Sequence, residues 1–290
     1  MLIGIIASLL GAIGQALNYA VTKDCQVKYQ IVGLKLLAGT FIFMGAMLTI
    51  PLVLLGYYHY FELSQITYLI RINVPFLLAQ YFMFCALRSS DASIVSPLLA
   101  LKIPVLCLIT FIFFDLSLEL IQYVAIALII VIACIFSGIS GTIRLKSLIF
   151  VVLATSCYVL SDIGITSYAK AMPVDSKIEQ VLIVTCLNYI AAGLIFVPFC
   201  PILHLGVKEI WNTRNAAITW IVSATFCVIG FNLSGLVSGT IIQSLRGVFG
   251  VVISFVFYRH ETVGSLSRKT FYLKVVLSIA MVLAVALFYV

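Results

Sequence analysis

Two cationic side chains lie near the middle of two long apolar stretches of the sequence. Lys102 stands in the first stretch and Arg246 at the matching place in the second, and the stretches align when the chain is shifted by 144 positions. An ionised side chain near the centre of a bilayer costs at least about 2.5 to 3.5 kcal/mol, so it normally serves a functional site. Lys offers a point charge and Arg a planar fork for carboxylate or phosphate. The pair predicts a binding site for an anionic group.

Further polar side chains inside apolar stretches extend this candidate site. Asp162 is the carboxylate that stands clearly within such a stretch, where it would carry a coupling proton or bind the ammonium of a zwitterion. The uncharged candidates are Gln15, Asn18, Gln80, Asn188, Asn232 and Gln243. We predict substrate contacts from this set, and we expect some of the amides to join helices instead. Lys35 and Lys274 stand near the ends of their stretches and are expected to reach the lipid headgroups.

The composition defines the broad class of protein. The chain is 63% hydrophobic and 9% charged, with a mean hydropathy of +1.23, whereas soluble domains are about 45 to 50% apolar and about 25% charged. The formal net charge of +7 comes from basic residues scattered between apolar stretches. That distribution is typical of membrane-protein loops and argues against nucleic-acid binding. Six of the eight cysteines stand inside apolar stretches without C-x-x-C spacing and are expected to be small buried hydrophobic residues: Cys85, Cys107, Cys134, Cys157, Cys186 and Cys227.

Apolar runs of about 20 residues predict membrane-spanning helices. The runs are apolar all round, without the alternation of a membrane barrel. The ten predicted spans are 2–22, 31–55, 67–87, 92–114, 118–138, 146–167, 179–201, 215–236, 238–258 and 271–290.

The shift of 144 positions divides the ten spans into five and five. We therefore predict an all-α integral membrane protein with two five-helix repeats, residues 1–140 and 141–290. An odd number of spans per repeat turns the second repeat upside down, and carriers built in this way bind substrate near the midplane. Pro97 and Pro104 flank Lys102 and favour an opened backbone there.

Enzymatic function is not expected. The sequence Gly138-Ile139-Ser140-Gly141 matches a serine-protease motif, but the three histidines, His59, His204 and His260, stand in or beside connections and cannot activate the serine. No metal-ligand cluster or nucleotide-binding loop occurs, so we expect no metal and no cofactor. Transport would then be driven by gradients or exchange.

The segment from Ala86 to Val105, ALRSSDASIVSPLLALKIPV, resembles the junction of the third and fourth helices in the EamA-like branch of the drug/metabolite transporter superfamily. The resemblance implies ten helices in inverted repeats and secondary transport. The family's Gly-Glu pair after the fourth helix is missing, since Asp115 and Glu119 stand there without the glycine. The plastid phosphate translocators are similar in placing cations on the fourth and ninth helices, but they carry a Lys-Arg pair where this chain has Leu245-Arg246. The missing cation favours a monoanion, carboxylate or zwitterion.

These observations predict a secondary transporter, an exporter or exchanger of an organic anion or zwitterion such as an amino acid or phosphorylated compound. It would work by alternating access around a central site near Lys102 and Arg246. The expected partners are the small-molecule substrate, a coupling proton and the lipid bilayer. We expect a monomer or weak homodimer in a bacterial inner membrane. The alternatives are a multidrug or cation efflux transporter of the same superfamily, which the deep positive charges disfavour, and a membrane scaffold that transports nothing.

Overall fold

Every regular element in the described part of this computed structural model is helical. The model describes residues 1–89, 98–114, 118–140, 145–257 and 268–288. The α-helices, numbered in chain order, are α1 Leu2–Tyr29, α2 Gly33–Leu54, α3 Ile66–Ser89, α4 Lys102–Phe114, α5 Leu120–Ser140, α6 Leu145–Ala171, α7 Lys177–Phe196, α8 Val207–Asn212, α9 Arg214–Ser234, α10 Leu236–Gln243, α11 Arg246–Phe257 and α12 Arg268–Leu287. Short 3-10 turns are Tyr57–Tyr60, Leu63–Gln65, Leu99–Leu101 and Val197–Phe199.

Seven of the described helices are long and apolar enough to cross a membrane. They are Leu2–Tyr29, Gly33–Leu54, Leu63–Ala86, Leu120–Ile139, Leu145–Ala171, Lys177–Phe199 and Arg214–Ser234. The predicted class, an all-helical integral membrane protein, is confirmed. Three predicted spans correspond to shorter helical pieces: 92–114 to Leu99–Ile112, 238–258 to α10 and α11, and 271–290 to Tyr272–Leu287. Residues 92–97, 258 and 289–290 of those spans lie outside the described residues.

The first helix illustrates how the sequence suits lipid on one side and protein on the other. Its buried side chains are mostly small, and its large apolar side chains are exposed, as expected where helices pack closely and lipid covers the rest. The buried small residues are Gly4, Ala7, Ser8, Gly11, Ala12 and Ala16. The exposed large residues are Leu2, Ile3, Ile6, Leu10, Ile13 and Leu17.

The chain divides into two compact units, each assembled from two stretches of sequence. The first contains Met1–Val74 and Ser161–Leu236, and the second contains Pro75–Leu160 and Val237–Val290. The boundaries fall within α3 and α6 and after the first residue of α10. Each unit thus contains helices from both predicted repeats, so the two units do not correspond to the two repeats. The division into repeats 1–140 and 141–290 stays a prediction.

In the first unit, α1 packs antiparallel to α9, and α2 packs against α7. Close approach in the second pair depends on glycine, because a β-carbon on Gly193 would lie 2.8 Å from the carbonyl oxygen of Phe41. In the α1–α9 pair, a β-carbon on Gly11 would lie 2.8 Å from the backbone nitrogen of Cys227. Both contacts are the kind that small residues allow between membrane helices.

In the second unit, α5 packs against α12. A separate apolar cluster joins the C-terminal half of α3 to the residues just before α4 and to α6. Its buried members are Ala86, Leu98 and Val151. This cluster fixes the backbone just before Lys102.

Candidate functional site

Helix α4 begins at Lys102, directly after a break in regular α-helix. The preceding residues Leu99–Leu101 form a 3-10 turn. Pro104 explains this break in the helix, because a proline ring clashes with the carbonyl four residues earlier and disfavours continuous α-helix through that point. In the first turn of α4 the same proline is tolerated, since the backbone N–H groups there have no partner within the helix.

A second break separates α10, which ends at Gln243, from α11, which begins at Arg246. No proline causes it. The backbone N–H of Ser244 donates to the carbonyls of Thr240 and Ile241, both at 3.1 Å, and its hydroxyl donates to the Ile241 carbonyl at 2.6 Å. Serine hydroxyls compete with helical hydrogen bonding in this way. Lys102 and Arg246, equivalent under the shift of 144 positions, are both the first residue of the helix after a break.

The structure brings two of the predicted site residues together within the second unit. The Lys102 ammonium donates a hydrogen bond to the Gln243 side-chain oxygen, with Nζ and Oε1 3.0 Å apart. Both residues are buried, each 6% exposed. A long cationic side chain is therefore held inside the protein. Arg246 is half-buried and follows Gln243 by three residues along the chain.

The electrostatics of this region favour an anion. The N-terminus of an α-helix carries a partial positive charge, which attracts anions. Lys102 and Arg246 each add a full positive charge to such a terminus. An ammonium, a guanidinium and a carboxamide provide the donors that carboxylate and phosphate oxygens accept.

Asp162 lies in the first unit, on α6. It is half-buried, and its backbone carbonyl accepts the Thr166 hydroxyl at 2.7 Å. The carboxylate also acts electrostatically on the Tyr189 hydroxyl, to which Trp220 donates its indole N–H at 3.1 Å. The substrate role of Asp162 stays a prediction.

Three of the predicted amides join helices within the first unit. Asn18 on α1 donates to the Ala216 carbonyl and the Thr219 hydroxyl on α9, both at 2.8 Å. Asn188 on α7 accepts from Asn73 on α3 at 2.9 Å.

The third of these amides, Asn232 on α9, donates to the Lys177 carbonyl at 3.2 Å and to the Gln180 side chain at 3.3 Å. Gln15 and Gln80 are half-buried on α1 and α3. Their role in substrate binding stays a prediction.

One polar residue escaped the sequence analysis, and a second has a contact that the sequence did not indicate. Asn73, the partner of Asn188, is a buried amide inside a predicted span, and its place in that span is the signal that could have found it. The Lys274 ammonium lies 5.8 Å from the centre of the Phe136 ring, as a cation–π contact, and its placement at the headgroups stays a prediction. Within the described residues, no group of three or more His, Cys, Asp or Glu side chains could hold a metal.

The fold defines an all-helical, multi-pass membrane protein. No protein-family model and no curated protein sequence matches the chain. A solved structure, described as the crystal structure of a protein, is similar to it with a TM-score of 0.65 and 16% sequence identity. The similarity covers 99% of this chain and 94% of that one. At this level of identity the likeness concerns the fold alone.

Proposed function

We propose that this chain is a secondary transporter of a small organic anion or zwitterion, whose acidic group binds at Lys102 and Gln243 with Arg246 nearby. The observation that carries the proposal is the buried hydrogen bond from Lys102 to Gln243 at two helix breaks. Interrupted helices whose N-terminal ends face a bound anion are typical of secondary carriers. A buried ammonium beside an uncharged amide supplies what an incoming acid needs.

We further propose ten spans, with Leu99–Leu101 and α4 in the fourth, α10 and α11 in the ninth, and α8 outside the count. Corresponding helix pairs support the five-plus-five arrangement. Gly14 on α1 contacts Ser223 on α9. Under the shift of 144 positions, Gly14 corresponds to Tyr158 and Ser223 corresponds to Ala79. Tyr158 on α6 does contact α3, through Phe76 with ring centres 6.0 Å apart, one helical turn from Ala79. The pairs α1–α9 and α3–α6 thus share a register.

Helices α2 and α7 supply the argument for inversion. A β-carbon on Gly45 would lie 3.1 Å from the carbonyl oxygen of Tyr189, and these two positions differ by the same 144 residues. Phe41, earlier on α2, contacts Phe196, later on α7, with ring centres 5.8 Å apart. Helices that the shift equates therefore run in opposite directions, as two inverted repeats require.

Such a chain would belong with the EamA-like drug/metabolite transporters in a bacterial inner membrane, and it would work by alternating access. The buried charge selects the cargo class. A lipophilic cation would meet Lys102 as a like charge in a region of low dielectric, which costs several kcal/mol. An acid or a zwitterion gains a charge-assisted hydrogen bond there.

The test is thermal unfolding of purified protein with a panel of amino acids, carboxylates, sugar phosphates, nucleobases and lipophilic cations. A ligand at a hundred times its dissociation constant adds about 2.7 kcal/mol to the native state. We expect an acid or zwitterion to raise the melting temperature of the parent and to act weakly on K102Q and R246Q. The matched control is K274Q, the same substitution at a half-buried Lys that contacts Phe136, and it should respond like the parent. Stabilisation by lipophilic cations alone, or an undiminished response of K102Q, would contradict the proposal.

A further inference from the structure

Four buried hydroxyl groups in the described residues have no hydrogen-bond partner: those of Ser8, Thr185, Thr240 and Ser278. A buried hydroxyl without a partner is unfavourable, so its retention calls for an explanation. Thr240 is 3% exposed and lies on α10 three residues before Gln243. Residues three apart lie on the same face of a helix. The Thr240 hydroxyl is thus buried one helical turn from Gln243, whose side-chain oxygen accepts the hydrogen bond from Lys102.

Other buried threonines in apolar helices of this chain show what Thr240 lacks. Thr110, Thr155 and Thr166 each donate to the carbonyl four residues earlier, at 2.7 to 2.9 Å. This local bond is the usual way in which an apolar helix satisfies a threonine. At Thr240 the hydroxyl is not used in this way, so its proton is available to a ligand.

We infer that Thr240 is a specificity-determining residue for the cargo's carboxylate group. The inference rests on the proposed function and deepens it. Lys102 donates to one carboxylate oxygen and the Thr240 hydroxyl donates to the other. The Gln243 oxygen, which accepts from Lys102 in the ligand-free protein, gives up that bond, and the carboxamide turns its Nε2 hydrogens toward the ligand. A carboxamide has both an acceptor and a donor end, so it can accept from lysine in one state and donate to a carboxylate in the other.

The donor set matches a carboxylate. One ammonium matches the single negative charge of a carboxylate. The hydroxyl and the amide add directional hydrogen bonds without adding charge. The two oxygens of a carboxylate accept up to about four hydrogen bonds, so three donors are readily accommodated. Lys102 alone of these three donors is charged, so the second charge of a phosphate group would be left to uncharged donors unless Arg246 also reached it, and that costs more on burial.

The test compares T240V, T240S and T110V in thermal titrations with glycine, succinate, benzoate and inorganic phosphate. Valine has nearly the shape of threonine and lacks the hydroxyl. We expect T240V to melt at or above the temperature of the parent without ligand, because it removes a buried group that has no partner. Its dissociation constant for the carboxylates should rise about tenfold or more, the loss of one hydrogen bond to a charged group. T240S should bind nearly like the parent, and T110V, which loses only a local bond on α4, should bind unchanged.

The experiment distinguishes a failure of the Thr240 inference from a failure of the proposed function. If K102Q loses carboxylate binding and T240V binds like the parent, the role of Thr240 is overturned and the proposed function stands. If phosphate binds and the carboxylates do not, the substrate class is overturned. If none of the probes binds the parent, this inference falls together with the proposed function.

Discussion

The Lys102 ammonium lies 3.0 Å from the side-chain oxygen of Gln243, and the two residues mark the edges of two different helix breaks. Lys102 begins α4, whereas Gln243 ends α10. The bond therefore ties together two places where regular α-helix is interrupted, inside an apolar protein. An ammonium and a carboxamide, the two groups that this bond joins, are both able to hydrogen-bond a carboxylate.

A carboxylate built into the protein at position 243 should imitate the bound cargo. We expect Q243E to fold and to lose the stabilisation that acids give the parent, because its own carboxylate already occupies the Lys102 ammonium. The control is Q30E, the same change at an exposed residue at the end of α1, which should respond to ligands like the parent. Thermal titration of the two variants makes the comparison, and an unchanged ligand response of Q243E would speak against Lys102 as the acid-binding group.

The α1–α9 contact predicts a large effect from a single methyl group. A β-carbon on Gly230 would overlap the Ser8 hydroxyl and approach the Ser8 backbone nitrogen to 2.9 Å. We expect G230A to destabilise the protein by about 1 to 3 kcal/mol, the usual cost of overpacking. G138A is the matched control, since nothing lies within 4 Å of a β-carbon there, and alanine favours helix over glycine. Equal melting temperatures for G230A and the parent would show that the two helices are farther apart.

The Asn73–Asn188 hydrogen bond predicts coupling between two residues that are far apart in sequence. We expect N73L and N188L each to lower stability, and the double variant to lose less than the two single losses together. Hydrogen bonds between membrane helices are worth about 0.6 kcal/mol on average and up to about 1.7. Chemical or thermal unfolding of the four proteins gives the coupling energy of the double-mutant cycle. Strictly additive losses would mean that the two side chains do not interact.

Much of the architecture follows from the sequence, because hydropathy reports which segments prefer lipid. The spans 31–55 and 215–236 were predicted nearly to the bounds of α2 and α9. The span 238–258 was predicted as one helix and is divided at Ser244 and Leu245. A count of apolar residues cannot detect that break, since it depends on how the backbone of Ser244 shares its hydrogen bonds.

The polar residues show a similar limit. Lys102 stands out in the sequence because a buried charge is costly wherever it lies. An asparagine or glutamine in a membrane helix can serve a ligand or a neighbouring helix, and only the partner's position decides between them. Asn18 and Gln243 have similar surroundings in sequence, yet Asn18 bonds to α9 and Gln243 bonds to Lys102. The register of one helix against another is a product of packing along the whole interface.

Glu209 predicts a pH dependence outside the membrane-spanning helices. Hydrogen bonds from the backbone N–H groups of Glu209 itself and of Gly206 hold the pKa of this carboxyl below its usual value, and the Gly206 bond is 2.9 Å long. A lowered pKa in the folded state means that the stabilisation is present above the unfolded pKa, about 4.3, and is lost as the pH falls through the folded value.

We therefore expect the parent to be slightly more stable than E209Q at neutral pH, with the difference shrinking below about pH 4. Melting temperatures of both proteins across acidic pH measure the difference. A gap that stays constant down to the lowest pH would mean that the carboxylate is not what stabilises the start of α8.

Counterflow in proteoliposomes tests most directly whether Lys102 holds the acidic group of the cargo during transport. Vesicles with the purified protein are loaded with the stabilising acid and diluted into a trace of the same labelled compound. We predict transient accumulation of label by the parent and by K274Q, and none by K102Q. If the parent binds the acid without accumulating label, it is not a carrier of that acid. If K102Q accumulates label like the parent, the Lys102–Gln243 pair is structural.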